Sequence, residues 1–237
     1  MTGRPTTLMA ILAILVSAGP GCSDGPAGSN YNPDIPTDLS SNVTNPFFPL
    51  VPGTIYQYSG QTPQGLETST LEVLAATRVV NGVATREVHD LVYLDGALIE
   101  DTYDWYAQDG AGNVWYLGED TKEIQNGQVI STEGSWEWGV NRALPGIIMP
   151  ADPAAQIDVA YRQEFLRDVA EDWGKVIAVN QTVMVTQGTF NGCIVTEDWT
   201  DLEAIPHENK SYCPQVGQVL EVVVGGTERI ELVGVTP

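Results

Sequence analysis

The stretch EDTYDWYAQDGAGNVWYLGED, residues 100–120, sets five aromatic rings among carboxylates on both sides of one glycine-containing turn. Carboxylates brought together from neighbouring strands can hold a hard cation, share a proton or work as an acid–base pair. Aromatic faces can hold a sugar or an apolar ligand. If Asp109-Gly110-Ala111-Gly112 closes a hairpin as a four-residue loop, Trp105 stands opposite Tyr116 and Asp101 opposite Asp120. The next turn, Asn126-Gly127, then puts Asp120 opposite Glu133. Asp101, Asp120 and Glu133 would line up in one row across three strands. Like charges directly opposite destabilise a sheet, so the row calls for a cation, a retained proton or open water. All-oxygen ligands suit calcium rather than zinc or copper. The ligand-binding candidates are Tyr103, Trp105, Trp115 and Tyr116 from this stretch, with Arg162 beside a long proline-containing segment. The competing reading makes the aromatics core or cross-strand ladder and the acids a solvated face; a one-residue shift in register abolishes the row.

These residues need strands to position them. From about residue 46 the chain reads as consecutive β-rich runs punctuated by Asn81-Gly82, Asp95-Gly96, Asn126-Gly127 and Gly225-Gly226. Asn-Gly and Asp-Gly supply the positive φ angles of two-residue hairpins. The pattern predicts an all-β fold: a single antiparallel meander of about a dozen strands forming a curved sheet, an open barrel or a sandwich. NVWYL, residues 113–117, is apolar on both faces, so it either lies between two layers or carries a shifted register. The segment NRALPGIIMPADPAAQ, 141–156, holds three prolines and reads as a crossover between sheets or a lid, with Ile147-Ile148-Met149 exposed. A short helical turn fits near residues 168–174.

The formal net charge of −21 sets 31 acids against 10 bases. Such a chain is repelled by nucleic acid phosphates and by anionic headgroups, and suits cations or basic partners. His89 and His207 are the only histidines, far apart and without metal-ligand spacing. P-loop, GxGxxG and HExxH motifs are absent. A secreted hydrolase using an acid pair near Asp101 and Asp120 remains one reading, and a calcium-stabilised structural protein another. An extracytoplasmic β-rich module that binds a ligand or an envelope partner, without assigned catalysis, is the first.

The N-terminus has Arg4, an unbroken apolar run Leu8–Val16, small residues and then Cys22. Nine apolar residues suit a signal peptide and fall short of the roughly 20 that span a bilayer. The expected organisation is a signal peptide over 1–21, a disordered Gly/Pro/Ser-rich tether over 22–44 and one β-domain over 45–237, with Cys22 lipidated. Cys193 and Cys213 remain, an even pair suited to an oxidising compartment. A symmetric hairpin between CIVTEDWT and HENKSYC sets them directly opposite, within disulfide range.

NPFFPLVPGTIYQYSG (45–60) and VTQGTFNGC (185–193) resemble the F-P-L-x-P-G-x-x-Y-x-Y opening and the G-T-F-x-x-C element of uncharacterised secreted bacterial β-rich lipoproteins. The resemblance implies a lipid anchor on Cys22 and a cell-envelope location. Ser23, standing where those proteins carry Asp for inner-membrane retention, implies the outer membrane. It carries over no activity and no catalytic residue.

Overall fold

The computed structural model describes residues 31–202 and 206–237. Cys22, the expected signal peptide and the start of the expected tether lie outside the described residues. Fifteen strands follow one another: β1 (Ile55–Gln61), β2 (Leu66–Val80), β3 (Val83–Leu94), β4 (Ala97–Gln108), β5 (Val114–Gln125), β6 (Gln128–Ser131), β7 (Trp136–Glu137), β8 (Leu144–Met149), β9 (Ala160–Arg162), β10 (Glu164–Phe165), β11 (Asp172–Val185), β12 (Gly188–Thr200), β13 (Glu208–Cys213), β14 (Gly217–Val223) and β15 (Arg229–Thr236). They pair antiparallel in the order β10-β8-β5-β4-β3-β2-β1-β15-β14-β13-β12-β11-β9, with β6 and β7 also on β5. The result is a nearly closed barrel with one unsealed seam.

The hairpins form where the sequence supplies positive φ. Asn81, Asp95 and Asn126 stand at φ 45°, 49° and 54°, each followed by a glycine also at positive φ. This is the turn geometry whose twist matches the flanking strands. The seam lies at β9 and β10, which are one bent stretch of chain. β9 pairs with β11, the Gln163 amide continues that pairing to the Asp172 carbonyl at 2.9 Å, and β10 turns to pair with β8. A Cβ on Gly146 would run into the backbone of Arg162 and Gln163, so glycine lets β8 approach this bend.

Two apolar clusters sandwich the β4–β5 hairpin. The main one fills the barrel with Tyr56, Tyr58, Val73, Val88, Tyr106, Tyr116, Trp136, Met149 and Leu232, among others. The second lies outside: Val80, Trp105, Ala107, Trp115 and Leu117, packed by Ile35, Leu39 and Trp138. Both explanations of the two-sided NVWYL strand hold. It lies between layers, and its register shifts by a bulge at Leu117, because Trp105 pairs with Gly118 while Tyr106 pairs with Tyr116. Gly118 has φ 145°, and a Cβ there would come within 2.6 Å of the Trp136 carbonyl.

Three expectations change. Residues 31–44, expected as tether, are fixed to the barrel: the Tyr31 hydroxyl donates to the Pro145 carbonyl at 3.0 Å, Ser40 bridges to Gln108, and Val43 is buried. Their apolar residues cover rings that would otherwise face water. The segment 141–156 contains β8 and a short 3-10 helix (Pro153–Gln156), and Ile148 and Met149 are buried rather than exposed. Of its three prolines only Pro145 lies within β8, near its start; Pro150 and Pro153 follow the strand. Residues 166–170 make a single tight turn, and β11 begins at Asp172.

The β12–β13 register is the symmetric one, with Ile194 opposite Tyr212 and Thr196 opposite Lys210. Cys193 and Cys213 form a disulfide across it, with Cα atoms 4.1 Å apart and a sequence separation of 20 residues. Chain entropy assigns a link of that span about 3 kcal/mol of stabilisation.

Candidate functional site

Alternation along each strand decides which side chains enter the barrel, and here it admits acids. Among the described residues eleven carboxyl side chains are buried, and all except Asp109 stand on the inner face: Glu67, Asp90, Glu100, Asp104, Glu119, Glu164, Asp172, Asp198, Glu208 and Glu221. Lys210 is the ammonium among them, with Asp198, Glu208 and Glu221 at 3.5, 3.4 and 3.9 Å. Burial alone would pull the Lys210 ammonium down, but Glu221, Glu208 and Asp198 outweigh it and hold its pKa well above the usual range.

Lys210, even with Arg162 acting on Asp172, cannot neutralise ten carboxylates, and an unpaired buried charge costs several kcal/mol, so most of these acids retain protons. Burial, helped by Asp104, pushes Asp90 up to about 8. Burial likewise takes Glu67 to about 8, with Glu228 and Asp90 adding to it. Burial raises Asp104 to about 7 against the hydrogen bond from the Tyr116 hydroxyl, which donates to Asp104 Oδ1 at 2.6 Å. Glu164 is held well above its usual range by burial and by Asp172; it keeps its proton and shares a hydrogen bond with Asp172, itself raised to about 7 by burial. The Trp136 indole donates to Glu164 Oε2 at 2.5 Å. Asp104, Glu119, Glu164 and Asp172 thus form one electrostatically linked group of acids, and none of them lines the barrel cavity.

A cavity of about 60 Å³ lies in the barrel. Part of its lining is apolar, including Phe48, Pro49, Leu50, Leu71, Ile148 and Val216, and part, its floor, is polar: Asp90, Gln163, Asp198, Lys210 and Glu221, with Tyr56, Tyr58 and Tyr212 also in the lining. A single water needs roughly 10–15 Å³, so the space holds several waters or a molecule of a few carbons. Asp90 Oδ1 and Asp198 Oδ1 are buried there without hydrogen-bond partners.

The residues singled out from the sequence lie elsewhere. The loop closing the β4–β5 hairpin has five residues, not four, and the bulge at Leu117 adds another offset. Asp101 therefore faces Lys122, and Asp120 faces Tyr103. Asp101 meets His89 at 2.9 Å, and Asp120 meets Lys122 at 3.1 Å. Glu133 belongs to the turn between β6 and β7, its amide donating to Ser131 Oγ at 3.0 Å. The row of three opposed carboxylates is not formed, and no group of three metal-ligating side chains occurs among the described residues.

The ligand-binding candidates are not brought together either. Tyr103 stacks on His89 at 4.1 Å on the outer face. Trp105 is buried under the Arg78 guanidinium at 3.9 Å and donates to Glu87. The Trp115 indole donates to Asp109 at 2.9 Å. Tyr116 alone points inward. Arg162 contacts Asp201 at 3.2 Å and Glu171 at 3.6 Å and lies 4.1 Å over the Trp173 ring. The cavity-floor residues Asp90, Asp198, Lys210 and Glu221 were missed. The available signal was an acid in the apolar phase of a strand: Asp90 has the parity of Val88 and Val92, and Asp198 that of Ile194 and Thr196.

No family model and no curated protein matches the chain. A solved structure from Parabacteroides distasonis ATCC 8503, described as that of a "putative lipoprotein" at 2.70 Å resolution, is similar over 80% of this chain and 98% of its own. The identity is 11% and the TM-score 0.41. At that distance the likeness bears on nothing the chain does.

Proposed function

We propose that this chain is an extracytoplasmic β-barrel, anchored through a lipid on Cys22 and held off the membrane by the polar residues that follow, which binds a small ligand in its interior. The observation that carries the reading is the cavity, whose lining combines apolar side chains with Asp90, Asp198, Lys210 and Glu221. Ligand pockets combine a largely apolar lining with a few convergent polar groups in this way. The apolar run Leu8–Val16, the small residues before Cys22 and the Cys193–Cys213 pair support the location. No helix among the described residues is long and apolar enough to cross a membrane. Ser23 after the lipidated cysteine favours the outer membrane. A small ligand is preferred to an envelope partner because the orphaned polar atoms of the floor point into the barrel rather than onto its surface.

Two measurements test this. Mass spectrometry of the native N-terminal peptide is expected to find acylated Cys22; an unmodified N-terminus between Ser17 and Gly21 overturns the anchor. Methyl NMR of the full chain titrated with n-butanol is expected to move Leu71, Ile148 and Val216 while leaving the outward Val233 in place. Leu71→Trp, which fills the cavity, removes the effect. If these methyls respond neither to butanol nor to its charged isosteres, the barrel is not a binding site.

A further inference from the structure

The walls of the cavity say what kind of ligand suits it. Asp90, on β3, is 2% exposed, and its Oδ1 accepts no hydrogen bond. Asp198, on β12, is 6% exposed; its Oδ2 faces Lys210 at 3.5 Å while Oδ1 has no partner. Leaving a buried acceptor unpaired costs about 1–3 kcal/mol, more when it carries charge. Two aspartates that each carry an acceptor without a donor therefore line one cavity.

Lys210 does not supply the missing partner. Its ammonium already meets three carboxylates, and Lys210 is not among the groups that set the charge of Asp90. The groups acting electrostatically with Asp90 are Glu67 from β2, Glu100 and Asp104 from β4, and the Tyr58 and Tyr106 hydroxyls. None is a cation, so protonation is what relieves the charge of Asp90. An anionic ligand would enter a region where acids outnumber ammonium groups. A bare metal ion would leave Leu71, Ile148 and Phe48 of the lining uncovered, whereas an apolar body covers them. Tyr56, Tyr58 and Tyr212 are in the same lining, and aromatic rings suit an organic cation.

We infer that the cavity takes an organic amine: a short apolar body lodged against Leu71, Ile148 and Leu50, with its ammonium group donating to the free oxygens of Asp90 and Asp198. This rests on reading the cavity as a binding site and adds the class of ligand. The amine supplies the donors the two aspartates lack, and its charge takes over from the proton on Asp90.

The test uses the methyl NMR titration of the full chain at pH 8 with three isosteric probes: n-butylammonium, n-butanol and n-butyrate. Butylammonium is expected to bind at least tenfold more tightly than butanol, and butyrate more weakly than either. The preference for butylammonium collapses in Asp90→Asn and shrinks in Asp198→Asn, while Asp120→Asn, an exposed acid outside the barrel, leaves it intact. If one variant does not give a dispersed methyl spectrum, the other decides. Equal binding of butylammonium and butanol overturns the amine assignment and leaves the cavity standing as a site. Stronger butyrate binding, or a preference that survives in both variants, also overturns it. Silence from all three probes overturns the assignment and the binding function together.

Discussion

The two faces of the β4–β5 hairpin treat a buried carboxylate in opposite ways. On the outer side Asp109 accepts from the Gly112 and Asn113 amides, the Asn113 side chain and the Trp115 indole, all within 2.8–2.9 Å. Burial pushes its pKa up, but these donors outweigh burial and leave it below the usual range. On the inner side Asp104 accepts from Tyr116 and leaves Oδ2 unpartnered, and Glu119 Oε2 opposite it is also unpartnered. A carboxylate with every oxygen satisfied is fastening a turn. Carboxyls left short of donors, in a strand phase that otherwise admits Val and Tyr, are held at a cost in stability that packing alone does not explain. Burial by itself therefore does not decide whether a carboxyl is held ionised or protonated; donor count does.

The largest effect should come from removing the satisfied acid. Asp109→Ala strips four donors of their acceptor and is expected to cost about 3 kcal/mol in urea unfolding, since hydrogen bonds to a charged group are each worth roughly 1.5–3 kcal/mol and are not additive. A loss below about 1 kcal/mol would erase the distinction between the faces.

A smaller effect is expected from pH. Asp90 and Glu67, raised to about 8, and Asp104 and Asp172, raised to about 7, bind protons in the folded barrel that the unfolded chain releases near pH 4. The stability they contribute is complete below that unfolded value and is lost as pH rises through the folded ones. Asp109 works in the other direction: its contribution is present above the unfolded value and is lost only at lower pH. The melting temperature should fall steadily from pH 5 to 8.5. A flat or rising curve would mean that water reaches the inner acids.

The smallest change belongs to Asp104→Asn. Its amide oxygen still accepts from the Tyr116 hydroxyl, so stability at pH 5 should stay within about 1 kcal/mol of the parent. At pH 8 the variant should be the more stable of the two, by urea midpoint.

Much of this was legible in the residues. The Asn-Gly and Asp-Gly turns fixed the registers around Asn81, Asp95 and Asn126, and the symmetric loop between β12 and β13 set Cys193 opposite Cys213. What escaped was whatever depends on one residue of offset or on distant packing. The bulge at Leu117 leaves no mark except a glycine after it, and with the fifth residue of the hairpin loop it set Asp101 opposite Lys122 instead of Asp120. The strand β8 hides among prolines because its partners, β5 and β10, are brought there only by the barrel. Residues 31–44 look like linker because the surface they cover does not exist until Trp105 and Trp115 are placed. The cavity floor was readable as acids in an apolar phase, but the aromatic hairpin drew the reading to the opposite phase.

The pairing of β1 with β15, Ile55 against Thr236, joins the two ends of the described chain. β1–β5 and β11–β15 are hairpins between sequence neighbours, and isolated hairpins form in about 1–10 μs. Joining the halves means closing nearly the whole chain into a loop, and pairings of such separation are what make β-proteins slow to fold. In each half-sheet the inner acids still face water and ionise freely. They take up their protons when the first strand meets the last.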